Sequence, residues 1–242
     1  MRPPSRQGTA IVLLSGGMDS ATALAVARRR FRRVDCLTVV YGQRHGREIR
    51  SARRLADHFG ATQHRVLRLP LAPLLKSSLT DRSRPLPTAH LGRPPSGIPS
   101  TYVPARNTIL LAVALGYAES IRAQAIYIGA NAVDYSGYPD CRPEYFRAFE
   151  RLARLATRAG VERGWEVRVE APLLHLSKAD IVRLGNRLRV PWGMTWSCYA
   201  GGRRPCESCD SCALRAKGFE GAGTPDPLAA PAHIRSSRSR PR

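Results

Sequence analysis

The 242-residue sequence has little lysine and little acid. It carries 39 basic against 18 acidic residues, a formal charge of +21, yet its only lysines are Lys76, Lys178 and Lys217. The arginine excess runs along the whole chain amid abundant Ala, Gly and Pro, which reads as a composition bias rather than a nucleic-acid face. No obligatory nucleic-acid partner is therefore expected. Long apolar runs are also missing: no window approaches the roughly 20 apolar residues of a membrane-spanning helix. The N-terminus, "MRPPSRQGTA", has no separate apolar stretch or cleavage site before the first strand, so a cytoplasmic protein without membrane association is expected. Two familiar phosphate-loop patterns are absent, G-x-x-x-x-G-K-[ST] and G-x-G-x-x-G.

What remains is a chain with 43% apolar residues, long enough for one sizeable α/β core. Its most informative stretch is "IVLLSGGMDS", residues 11–20, followed by "ATALAVARRR". An aliphatic run makes a buried strand, glycines make a tight turn, and the Ala/Leu/Arg run makes a helix. Strand, turn and helix in that order aim free N–H groups and the positive end of the helix dipole at the space over the turn, where a phosphate is favoured. Alone, the turn leaves open an ordinary connection in which Ser15 or Asp19 merely caps the helix.

Further strands are expected at 34–42, 61–70, 124–130 and 166–174, and helices at 47–60, 106–123 and 143–160, with Gly60 and Gly160 as terminators. Residues 81–100, rich in Pro, Gly and Ser, predict a long irregular loop. Alternating strands and helices predict an α/β fold with a doubly wound, mostly parallel sheet, whose ligands bind beyond the carboxyl ends of the strands. The organisation expected is a flexible N-terminus (1–9), a nucleotide-binding α/β domain (10–190), a small C-terminal cysteine-bearing segment (191–223), to which the resemblance given below assigns zinc, and a disordered basic tail (224–242).

Two features resist a purely structural reading. Ser177 and Asp180 in "HLSKADIVRLG" predict a capping box. Lys178 sits in that first helical turn, where the dipole disfavours a cation unless a polyphosphate is bound. Cys198, Cys206, Cys209 and Cys212 fall within 15 residues with two C-x-x-C gaps, a pattern for tetrathiolate metal ligation. Spacing alone leaves both zinc and an iron–sulfur cluster open. Cys36 reads as a small buried hydrophobe, and Cys141 also stands outside the cluster.

"SGGMDS" resembles the pyrophosphate-binding loop of the N-type ATP pyrophosphatases. Together with "YGQRH", "VPARNTILL", "GANAVDYSGYPDCRPEYF", "PLLHLSKADIVRLG" and "TWSCYAGGRRPCESCDSC", it resembles the 7-cyano-7-deazaguanine synthase family over most of residues 11–223. Met18 at a variable loop position, the length of 81–100 and the basic tail depart from the family pattern outside its motif residues. The resemblance implies an adenine nucleotide alpha hydrolase-like fold and a ligase that joins ammonia to 7-carboxy-7-deazaguanine at the expense of ATP. It further implies a homodimer, one structural Zn²⁺ per chain and Mg²⁺ with the ATP.

In that reading ATP is bound by Leu14, Ser15, Gly16, Gly17, Met18, Asp19, Ser20, Ala21, Thr22, Ala23 and Leu24. Asp19, Lys178 and Arg106 are the catalytic candidates, with Asp19 toward Mg²⁺, Lys178 toward the phosphates and Arg106 toward a carboxylate. Arg106, Asn107, Asp134, Tyr135, Tyr138 and Asp140 are the substrate-binding candidates, and the four clustered cysteines hold the zinc. Asp140 has an alternative as an Asx turn after Pro139, and either tyrosine as core. Two other functions stay open: a tRNA-modifying thiolase, which would use Cys206 or Cys209 catalytically, and a zinc module without catalysis, which leaves "SGGMDS" and Lys178 unexplained.

Overall fold

A computed structural model of the chain describes residues 7–44, 46–88, 97–132 and 138–229. Its elements run β1 (Thr9–Leu13), α1 (Met18–Arg30), β2 (Arg33–Val40), α2 (Arg47–His58), β3 (Gln63–Arg68), α3 (Arg106–Ile121) and β4 (Ala125–Ile128). They continue with α4 (Pro143–Ala156), α5 (Arg158–Arg163), β5 (Arg168–Glu170), α6 (Lys178–Arg187) and α7 (Asp210–Gly221). The five strands form one sheet in the order β3-β2-β1-β4-β5, and every pairing is parallel. The chain winds outward from β1 to β3, then crosses back to lay β4 on β1's other side. That reversal opens a crevice at the carboxyl end of β1, directly before "SGGMDS".

Strand periodicity divides the core in two. Ala10 and Val12 face α1, α2, α6 and the Phe219 ring of α7, while Ile11 and Leu13 face α3 and α4. Leu24 and Leu55, from α1 and α2, are fully buried in the first layer. Truncating either to alanine would cost about 2–5 kcal/mol. Among the described residues no helix is long and apolar enough to cross a membrane.

Three expected boundaries shift, each for a local reason. The helix expected over 143–160 is two helices, because Thr157 adopts an extended conformation (φ −114°, ψ 143°). Its hydroxyl donates to Ala153 O at 2.8 Å and accepts from Gly160 N at 3.1 Å, capping α5 instead of continuing α4. The left-handed terminator is Gly164, φ +61°, rather than Gly160. The last strand shortens to Arg168–Glu170 because Leu174 N and Leu176 N bond back to Ala171 O and Leu173 O, turning the chain toward α6. Residues 224–229 are not tail: Thr224 N bonds Phe219 O, and the buried Arg215 grips Asp226 through two bonds of 2.7 and 2.9 Å. The expected N-terminal and basic tail segments otherwise lie, at 1–6 and 230–242, outside the described residues.

Candidate active site

The loop after β1 is shaped by a close approach. Gly16 takes φ +90°, and a Cβ there would lie 2.3 Å from Glu48 O and 2.8 Å from Ala52 N of α2. Only glycine allows both the conformation and the contact. Gly17 is the N-cap of α1 and supplies no side-chain cap bond. Ser15 and Ser20 bond each other at 3.0 Å and brace the loop through Gly17 N and Gly16 N, so neither Ser15 nor Asp19 caps the helix. The expected alternative in which one of these side chains caps the helix is therefore not what the structure has. The start of α1 faces the crevice without a capping side chain, as anion binding requires.

Across that crevice Lys178 Nζ donates to Asp19 Oδ2 at 2.7 Å. The lysine side chain is only 5% exposed and the aspartate 23%, so the pair sits at the edge of the core and is screened little by water. Asp19 Oδ1 is buried without a hydrogen-bond partner among the described residues, the state of a carboxylate oxygen suited to a cation. Lys178 is delivered by local capping. Ser177 is the N-cap of α6, accepting from Asp180 N at 3.2 Å and donating to the Asp180 carboxylate at 2.5 Å. Asn131, beyond β4, adds a tether that its sequence position does not reveal: its amide donates to Leu173 O and Leu176 O, in the turn before Ser177.

The crevice is a cavity of about 260 Å³. Of the loop and α1 residues proposed for ATP, Leu14, Ser15, Gly17, Met18, Asp19 and Ser20 line it. Gly16 shapes the turn from behind, and Ala21, Thr22, Ala23 and Leu24 are buried in the core side of α1. Arg106, Asn107 and Tyr138 line the opposite wall, whereas Asp134 and Tyr135 lie outside the described residues. Asp140 acts as an anchor instead of a wall residue. Its Oδ2 accepts from Asn107 N at 3.1 Å and its carbonyl from Asn107 Nδ2 at 3.0 Å. It thereby ties the turn Pro139–Cys141 to the start of α3 and does not line the cavity. Tyr138 donates to or accepts from Thr101 Oγ1 at 2.7 Å.

Arg106 follows Ala105, whose φ of +51° is strained for a residue with a Cβ. Burial disfavours the guanidinium's charge, but Tyr41, Tyr138 and Asp140 around it outweigh that and raise its pKa. Tyr41 and Glu48 share this wall. Burial pushes the Glu48 carboxyl up to about 7, against the opposing pull of Arg106 and with a further upward push from Cys198. Burial likewise raises the Tyr41 hydroxyl. No sequence motif marks Glu48, and Tyr41, the first residue of "YGQRH", carries no expected site role, although it lies just past the carboxyl end of β2, where the fold class puts ligands.

The four cysteines come together. Sγ atoms of Cys198, Cys206, Cys209 and Cys212 all lie within 4.8 Å of one another, and those of Cys206 and Cys212 are 3.9 Å apart. Thiolates about 2.3 Å from one central ion stand roughly 3.8 Å from each other, so the group has room for a single metal ion. Ala200 N and Cys206 N both donate to Cys198 Sγ, the kind of outer-shell bond that orients a ligand. The segment is fastened to the loop: Trp196 N donates to Gly16 O at 2.8 Å, and the Arg47 guanidinium stacks 4.5 Å over the Trp196 ring.

The family model described as "Queuosine biosynthesis protein QueC" matches residues 9–223. The chain belongs to the QueC family. A relative from Anaeromyxobacter sp. (strain Fw109-5), named 7-cyano-7-deazaguanine synthase, is 56% identical over 228 residues, covering 93% of this chain and 96% of its own length. A synthase of the same name from Methylococcus capsulatus is 54% identical over 220 residues, covering 90% and 96%. Among solved structures, an NMN synthetase from Francisella tularensis matches with a TM-score of 0.47 at 15% identity, covering 96% of this chain and 82% of that one. The QueC match ends at Gly223 and so takes in both the loop and the cysteine cluster.

Proposed function

We propose that this QueC-family chain is a 7-cyano-7-deazaguanine synthase that converts 7-carboxy-7-deazaguanine, ammonia and ATP into the nitrile through two adenylated intermediates. The observation that carries the reading is the Lys178–Asp19 pair at 2.7 Å beside an uncapped helix start, in a chain 56% identical to a relative of that name. A carboxylate is a poor electrophile. Arg106 holds it in fork geometry while the α-phosphate of ATP is attacked, and the loop N–H groups and Lys178 stabilise charge on the departing pyrophosphate. Ammonia displaces AMP to give the amide. The amide oxygen attacks the α-phosphate of a second ATP, releasing pyrophosphate and one N–H proton, and loss of AMP with the remaining N–H proton gives the nitrile.

Asp19 would hold Mg²⁺, which neutralises phosphate charge when bound, and its unpartnered Oδ1 suits that role. The four cysteines would hold one structural Zn²⁺ that fixes the C-terminal segment over the sheet. Free ammonia serves as nitrogen donor, a homodimer is the working assembly, and the cytoplasm is the working compartment. Mass spectrometry of products from ATP, ammonia and 7-carboxy-7-deazaguanine tests the reading: nitrile with up to two AMP per product is expected. Stoichiometric ADP without AMP would overturn the adenylation steps, and AMP release that depends on tRNA would point to a thiolase instead.

A further inference from the structure

We infer that Ser197 is a nucleotide-binding residue, its hydroxyl donating to a phosphate oxygen held at the Gly16–Gly17 turn. This rests on the proposed use of ATP. Among the described residues the buried side-chain atoms without a hydrogen-bond partner include Asp19 Oδ1 and Ser197 Oγ, and of that group only these two belong to residues lining the cavity. A buried hydroxyl left unpaired costs about 1–3 kcal/mol, so its retention calls for an occupant. The two orphans are complementary. A carboxylate oxygen only accepts and wants a cation, whereas a serine hydroxyl donates to an anion.

Position selects phosphate as that anion. Trp196 N is bonded to Gly16 O at 2.8 Å, and a Cβ on Gly17 would lie 3.7 Å from Trp196 O, the carbonyl of the peptide that leads into Ser197. On its other side Ser197 is followed by Cys198, whose Sγ is fixed by Ala200 N and Cys206 N. Ser197 is thus anchored at both ends, against the loop and in the cysteine cluster, and it lines the same cavity as the loop. It reaches the proposed phosphate site through a segment far from the loop in sequence.

Calorimetric titration of the full-length protein with α,β-methylene-ATP and Mg²⁺, without deazaguanine substrate, tests this. Ser197→Ala should weaken the Kd about tenfold or more, leave the melting temperature of the ligand-free protein unchanged or raised, and Ser197→Thr should restore the Kd to within about twofold. A merely structural serine would lower the melting temperature instead. Unchanged affinity in Ser197→Ala, no rescue by threonine, or no binding of the analogue by the parent protein would each overturn the inference. Weakened analogue binding without nitrile formation by the parent would leave Ser197's role standing and remove the proposed product.

Discussion

Gly218 of α7 lies against Lys178 of α6 with no space for a side chain between them: a Cβ on Gly218 would be 2.9 Å from Lys178 Cβ and 3.1 Å from its carbonyl oxygen. The helix that begins at the cysteine cluster therefore backs the lysine that reaches Asp19. Gly218→Ala raises intrinsic helix propensity by about 1 kcal/mol, so propensity alone predicts a more stable protein. The contact predicts the reverse, a melting temperature lower by a few degrees and turnover lower by at least fivefold. Thermal melts and AMP release assays check both.

The Lys178–Asp19 pair ties chemistry to stability. Removing the carboxylate takes one partner from a lysine that is only 5% exposed, so Asp19→Ala should destabilise by about 1–3 kcal/mol. Lys178→Met in the same chain should recover most of that loss while turnover stays abolished. Urea unfolding of the single and double variants, read as a cycle, separates the two roles.

Metal removal should be readable in thiol counts. Burial pushes Cys36 up to about 12 and Cys141 up to about 11, so both are poor nucleophiles in the folded state. With metal bound, the native protein should react with almost no alkylating reagent at pH 8. Zinc chelation should expose the four clustered thiols and lower the melting temperature, and denaturant should then expose all six. Brown protein containing iron and sulfide would overturn the zinc assignment.

Glu48 sets a pH dependence. Its folded pKa of about 7 lies above the ordinary 4.5, so between those values the folded state keeps a proton that the unfolded state has lost. Stability contributed at this site is therefore present below pH 4.5, falls as pH rises through that window, and levels off above 7. Glu48→Gln should remain uncharged throughout, flatten the decline and leave the variant more stable than the parent at about pH 8. Melting temperatures of both proteins from about pH 5 to 8 measure the difference.

Element order and the strand–glycine-turn–helix unit are legible in the sequence because their signals are local: an aliphatic run, a Gly-Gly turn and an Ala-rich helix need no knowledge of the rest of the chain. Lys178 is legible through a local conflict, a cation where the helix dipole opposes it. The split at Thr157 is less visible, because a threonine inside an apolar helical pattern only ends a helix once its hydroxyl has both Ala153 O and Gly160 N within reach. Glu48 reads as an ordinary first-turn acid, and its raised pKa arises from burial, with a further push from Cys198 and against the pull of Arg106, all set by groups far away in sequence. Asp140 as the anchor of Asn107, and Asn131 as the tether before Ser177, lie within "GANAVDYSGYPDCRPEYF", but these bonds follow from the topology and are not readable from the motif itself.

Asp19 and Lys178 are 159 positions apart. Closing so long a loop carries a large entropic penalty that only the docked sheet and α6 repay, so the ion pair forms late in folding. A chain still emerging from the ribosome presents the glycine turn and the aspartate well before the lysine has been synthesised. A nascent chain therefore carries the Gly16–Gly17 turn and Asp19 before it carries the cation with which Asp19 pairs in the folded protein.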